Sequence, residues 1–157
     1  MHRFTLLALG FALTAGGAVA DPLFERRAIF PYEDFHNHSS SLVECPNGDL
    51  LACWFHGVGE RGDNNSVILG SRLRKGQGAW DPPFTLADTP NLPDCNPVLF
   101  IDPKERLWLF RIAVVANEWQ HSLLRTMTST DYLKPGPPNW TWQDVLILTP
   151  GEEFPET

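Results

Sequence analysis

The sequence predicts an all-β fold: an incomplete β-propeller of about two to three antiparallel blades, preceded by a signal peptide. Three observations predict it. Two stretches repeat one hairpin design about 56 residues apart, close to the longer blade periods. Each hairpin is followed by a further strand-like run and then a tryptophan. Six Trp, ten Phe and fourteen Pro, against two Met, suit short strands and ordered turns better than helices.

The N-terminus comes first. His2 and Arg3 give a short positive start, Phe4 to Ala15 is almost wholly apolar, and Ala18 and Ala20 offer a small-residue cleavage site before Asp21. That order reads as a secretory signal over residues 1–20. The apolar run is broken by Gly10, Gly16 and Gly17, and a spanning helix needs about 20 predominantly apolar residues. The expected product is residues 21–157, secreted or periplasmic, with no membrane association after cleavage.

In the first hairpin, Ser41-Leu42-Val43-Glu44-Cys45 leads through Pro46-Asn47-Gly48-Asp49 into Leu50-Leu51-Ala52-Cys53-Trp54-Phe55. Asn-Gly between two apolar runs predicts a tight turn, because such turns demand φ > 0. In the second, Pro97-Val98-Leu99-Phe100-Ile101 leads through Asp102-Pro103-Lys104-Glu105-Arg106 into Leu107-Trp108-Leu109-Phe110. Third strands are expected over Ser66–Arg72 and Ser122–Ser129, followed by Trp80 and by Trp140 and Trp142. A small sheet cannot bury both faces alone, so such units stack face to face as propeller blades. A closed ring needs at least about four blades. The chain is therefore expected to be a truncated piece, exposing a blade face and a sheet edge.

The net charge of −7 argues against nucleic acid or an anionic membrane as partner, since both attract basic surfaces. Three cysteines are an odd number for an oxidising compartment. A two-residue turn at Asn47-Gly48 sets Cys45 against Leu50 and Cys53 against Leu42, so those two are poorly placed to bond. No disulfide is assigned to Cys45, Cys53 or Cys95. No zinc spacing, nucleotide motif or flavin motif is present, so neither a metal nor a cofactor is expected.

The run from His36 to Trp80 resembles the opening of the sialidase-like, BNR-repeat family. His38-Ser39-Ser40-Ser41-Leu42-Val43 matches its first strand, Asn47-Gly48-Asp49-Leu50-Leu51-Ala52 its turn and second strand, and Gly57 to Asp63 its acid-bearing loop. The resemblance implies a propeller and a glycoside hydrolase, exo-sialidase-like, acting on acidic sugars. It also implies that Asp63 occupies the general-acid position. Two departures stand out. His38 takes the place of the first arginine that clamps a substrate carboxylate. The Asp-box turns are degraded: none precedes Trp80, and only Ser129 and Asp131 remain before Trp140.

The densest polar cluster runs from His36 through Asn37 and His38 to Ser41, at the start of the first strand. In a hairpin, residues near 38 and 56 share one end of adjacent strands, so His38 and His56 are expected to flank one site. The candidate catalytic residues are His38, His56 and Asp63. Candidate substrate-binding residues are His36, Glu60 and Arg61, with Asp94 and Asn96 at the start of the second blade, and Arg111 after its hairpin. The expected ligand is a carbohydrate substrate or glycan. Two alternatives stay open: a propeller polysaccharide lyase using a His base and an Arg clamp, and a non-catalytic propeller binding glycans or proteins. Trp54 and Trp108 are expected in the core, Trp80, Trp140 and Trp142 as packing residues, and Trp119 in a loop.

Overall fold

The computed structural model describes residues 24–59 and 66–147. The expected signal peptide over residues 1–20, and Glu60, Arg61 and Asp63, lie outside the described residues. Strands β1 (His36–Glu44), β2 (Leu50–Gly57), β3 (Val67–Leu73) and β4 (Phe84–Ala87) form one antiparallel four-stranded sheet in sequence order. Strands β5 (Asp94–Ile101), β6 (Leu107–Ala113), β7 (Leu123–Ser129) and β8 (Trp142–Val145) form a second sheet of the same build. Among the described residues the only helical turn is a 3-10 turn, Trp119–His121, which carries Trp119. The fold is all-β, and its two sheets are two propeller blades.

The blades meet face to face. Leu51, Cys53, Phe55 and Ile68 of the first pack with Cys95, Leu99, Leu107, Leu109 and Met127 of the second, all buried. Each large apolar side chain among these stabilises the pair of sheets by about 1.5–3 kcal/mol when fully buried, and burial alternates along β6 because every second residue faces the other blade. Polar links reinforce the contact. The indole Nε1 of Trp140 donates to the Leu86 carbonyl at 2.8 Å. The fully buried Arg72 donates to the Tyr132 carbonyl and lies 3.6 Å from Asp49.

The first hairpin turn differs from the two-residue form expected at Asn47-Gly48. Gly48 N donates to Cys45 O and Cys45 N to Asp49 O, each at 2.8 Å, and Gly48 has φ 82°. This is a three-residue loop closed by a left-handed residue. The longer loop slides the register: Cys53 lies opposite Ser41, and Leu42 opposite Ala52, not Cys53 opposite Leu42. All three cysteines are buried thiols. The second turn repeats the design with Asp102, Arg106 and Glu105 in the matching places, Glu105 taking φ 57° where the first has glycine. There Asp102 accepts from the Trp108 indole at 3.0 Å and from Arg106 Nε at 2.8 Å. These donors hold its carboxyl well below the usual carboxylate range.

The outer face of the second blade is exposed and apolar: Val98, Phe100 and Trp142 are each about half accessible. Trp108 lies on that face, stacked on Phe110 with ring centroids 5.8 Å apart, so it is partly buried on the outer face rather than in the core between the blades. Trp142 is likewise exposed, because β8 is an edge strand. Trp54 is buried, as expected, and Trp140 packs against the core. The outer face of the first blade is covered instead by residues 24–35. Phe30 packs on Trp54 at 5.2 Å and Phe35 on His56 at 4.7 Å.

Candidate functional site

The starts of β1 and β5, the innermost strands, come together at one end of the blade pair. Each carries a bulge. Ser39 and Ser40 lie between the pairs His38–Phe55 and Ser41–Cys53, and Asn96 and Pro97 lie between Cys95–Ile112 and Val98–Phe110. A proline fits there because a bulge leaves its position out of the ladder. Ser39 and Asn96 take left-handed φ values of 52° and 49°, a conformation that asparagine tolerates better than most residues. Their side chains meet, Ser39 Oγ donating to Asn96 Oδ1 at 3.0 Å. One turn further in, Ser41 Oγ accepts from the Leu99 amide at 3.0 Å.

Beside each bulge stands a polar hub, placed by the repeat at the same position in each blade. In the first, Asn37 Oδ1 accepts from Trp54 Nε1 at 2.9 Å and lies 2.9 Å from His56 Nδ1. In the second, Asp94 accepts from Arg111, from the Thr89 amide at 2.6 Å and from the Thr89 hydroxyl at 2.9 Å. The structure therefore sets Arg111 at the position of Trp54 and Ala113 at that of His56. Arg111 was expected to follow its hairpin as His56 does. It lies instead inside β6, fully buried with Asp94. Burial pushes the Asp94 carboxyl up from its ordinary range, and the Arg111 guanidinium and Thr89 act in the opposite direction. Arg125, half-buried across the strand from Arg111, also reaches the Thr89 hydroxyl, at 3.0 Å.

The histidines share this end but not one face. The register pairs Asn37 with His56 and His38 with Phe55, and paired residues point to the same side of a sheet. His38 therefore lies with His36 and Phe55, the rings of the two histidines 5.5 Å apart. His56 lies on the opposite face with Asn37 and Trp54, beneath residues 24–35. Glu33 from that segment accepts from Asn37 Nδ2 at 2.9 Å and lies 3.3 Å from His56 Nδ1. A cavity of about 300 Å³ opens between Phe30 and Trp54 on its apolar side and Asn37, His38, Ser39 and Ser40 on its polar side. An aromatic wall facing short polar groups is the chemistry that binds a sugar ring.

Glu60, Arg61 and Asp63 lie outside the described residues, but the residues flanking them do not. Gly57 pairs with His36, and the Ser66 carbonyl accepts from the Asp94 amide at 2.8 Å. Among the described residues no cluster of His, Cys, Asp and Glu is arranged to hold a metal ion, and no helix is long and apolar enough to cross a membrane. The sequence reading missed Glu33, Thr89 and Arg125 altogether and treated Asn37 only as a neighbour of the histidines. The signal for Asn37 was present in the repeat, since the offset relating the two hairpins also relates Asn37 to Asp94.

Residues 48–155 match the family described as BNR repeat-like domain. No curated protein matches the chain. Among solved structures, a protein of unknown function from Dyadobacter fermentans DSM 18053 is similar, with a TM-score of 0.54 and 16% sequence identity. The match covers 67% of this chain and 36% of that one, so the chain spans about a third of its neighbour's length. At that identity the likeness is one of fold. With a family match over more than half its length and two four-stranded blades, the chain belongs to the BNR repeat-like domain family, in the sialidase-like superfamily.

Proposed function

We propose that this protein is a secreted carbohydrate-active enzyme, a glycoside hydrolase acting on acidic sugars at the strand-start end of its blades. The observation that carries the reading is the cavity beside the Ser39–Asn96 contact, where Phe30 and Trp54 face Asn37, His38, Ser39 and Ser40. In this reading a sugar ring lies on the aromatic side while the polar side takes its hydroxyls. Asp63 protonates the leaving oxygen, and Arg61 pairs with the sugar carboxylate. His36 and Asn96 stand at the same end of the blades, whereas Asp94 is fully buried with Arg111 and is closed to a ligand. An anionic ligand on a chain of net charge −7 favours a local cation such as Arg61. Arg111 is a weaker candidate for that pairing, because Asp94 already occupies it.

A second reading, a lyase acting on uronates, is favoured by the environment of His56. A histidine flanked by Asn37 and Glu33 is suited to remove the proton next to a uronate carboxylate.

One assay separates the readings. The protein is incubated with sialosides and with uronate-containing polysaccharides, and the products are examined for a freed sugar acid and for ultraviolet absorbance of an unsaturated uronate. A freed sugar acid without absorbance supports the hydrolase, and absorbance supports the lyase. Saturable glycan binding with neither product would replace both with a binding module.

A further inference from the structure

The donors and acceptors around His56 assign its tautomer. An indole Nε1–H can only donate. The Asn37 atom 2.9 Å from Trp54 Nε1 is therefore the carbonyl oxygen Oδ1. The other end of the same amide, Nδ2, donates to Glu33 Oε1 at 2.9 Å, so both ends of Asn37 are fixed by partners of the right sense. His56 Nδ1 lies 2.9 Å from that same Oδ1. An oxygen can only accept, so Nδ1 must carry a proton. Glu33 Oε1, 3.3 Å from Nδ1, is a second acceptor on the same side. In the neutral ring the remaining lone pair is on Nε2.

Packing holds the ring as well as its proton. Phe35 lies against it at 4.7 Å, yet the side chain keeps 21% of its surface exposed. The arrangement is not a general requirement of blade packing. In the second blade the same hub position is Asp94, bound to a buried arginine, and the position of His56 is Ala113. A blade of this build packs without a histidine there.

We propose that Trp54, Asn37 and Glu33 are positioning residues for His56, holding its proton on Nδ1 and leaving Nε2 to accept a proton or hydrogen bond from an acidic sugar. The sugar rests on the carbohydrate reading above; the tautomer does not. Trp54 orients the Asn37 amide, Asn37 fixes the imidazole proton, and Glu33 locks the far end of the amide from the covering segment.

The test is a two-bond proton–nitrogen correlation spectrum of the nitrogen-labelled protein, with the His56 signals identified by their loss in His56→Ala. The wild type and Glu33→Gln are expected to show the Nδ1–H form when the ring is neutral, because Asn37 Oδ1 remains in both. Asn37→Ala is expected to show a mixture and to lower kcat on the accepted sugar substrate on the order of tenfold, with KM also raised because Asn37 lines the cavity. An Nε2–H form in the wild type overturns the inference whatever the activity. Unchanged kcat in a folded Asn37→Ala overturns the positioning role. Should that variant fail to fold, the wild-type and Glu33→Gln spectra decide the tautomer alone. The expected tautomer in a protein that turns over no acidic sugar overturns the carbohydrate reading and leaves the assignment standing.

Discussion

Ser39 and Asn96 hold the two innermost strands together: one donates to the other at 3.0 Å, and each is the left-handed residue of its own strand's bulge. The contact joins two irregularities that the repeat places at the same point of successive blades. A bulge bends its strand and redirects the side chains beside it. Here those side chains include the hubs Asn37 and Asp94.

Replacing Asn96 by alanine removes the acceptor and puts a less tolerant residue at φ 49°. The expected cost is about 1–2 kcal/mol. Asn96→Gly loses the bond but relieves the backbone, and should cost less than Asn96→Ala. Urea unfolding of the two variants checks the order.

The turns make an opposite pair of predictions. Glu105 sits at φ 57° where the first blade has Gly48, and its bonds there are made by its backbone, the amide donating to Asp102 O at 2.8 Å and the carbonyl accepting from Tyr132 at 2.9 Å. Glu105→Gly should therefore stabilise the protein by up to about 1 kcal/mol. Gly48→Ala should destabilise it by a similar amount or more, since its φ is 82° and an added Cβ would lie 2.8 Å from Lys75 Cδ. Thermal melting of the two variants should move in opposite directions.

Arg111 and Asp94 form a buried pair. Arg111→Met leaves Asp94 without its partner and should cost about 3–5 kcal/mol. Adding Asp94→Leu should recover much of that loss, because an apolar pair of similar volume is tolerated better than a lone buried charge. Chemical denaturation of the single and double variants measures the coupling. A stable Arg111→Met protein with weakened sugar binding would instead make Arg111 a ligand group.

Burial pushes the Cys53 thiol up to about 12. The unfolded thiol ionises near about 8.5, so folding is favoured by this group at any pH below that value. The advantage is lost as pH rises towards 12, because the unfolded chain gives up the proton first. The stability difference between the wild type and Cys53→Ala should therefore shift against the wild type above about pH 9. Melting temperatures of both proteins across that range test it.

The hairpins were legible because apolar runs flank Asn47-Gly48 and Asp102-Pro103, and because the spacing recurs. Their register was not. One extra loop residue moved Cys53 from Leu42 to Ser41, and turn length depends on which residues accept a left-handed φ. Glu105 accepts it despite being neither glycine nor asparagine. The site was legible as a place: polar residues at the starts of β1 and β5 did come together. Its faces were not, since they follow from register, and register separates His38 from His56. Trp54 and Arg111 hid their equivalence because unlike side chains fill one structural role. Glu33 and Arg125 reach their hubs from a covering segment and a third strand, which hairpin pairing does not predict.

If the strand-start end of these blades acts on an acidic sugar, as we propose, turnover depends on the histidines placed there. The most direct measurement is steady-state turnover of a sialoside or uronate substrate by the wild type and by His38→Ala and His56→Ala, each first shown to melt like the wild type. The expected result is measurable turnover in the wild type, with a loss of on the order of a hundredfold or more in at least one variant. Turnover absent in the wild type, or equal in all three proteins, would contradict it.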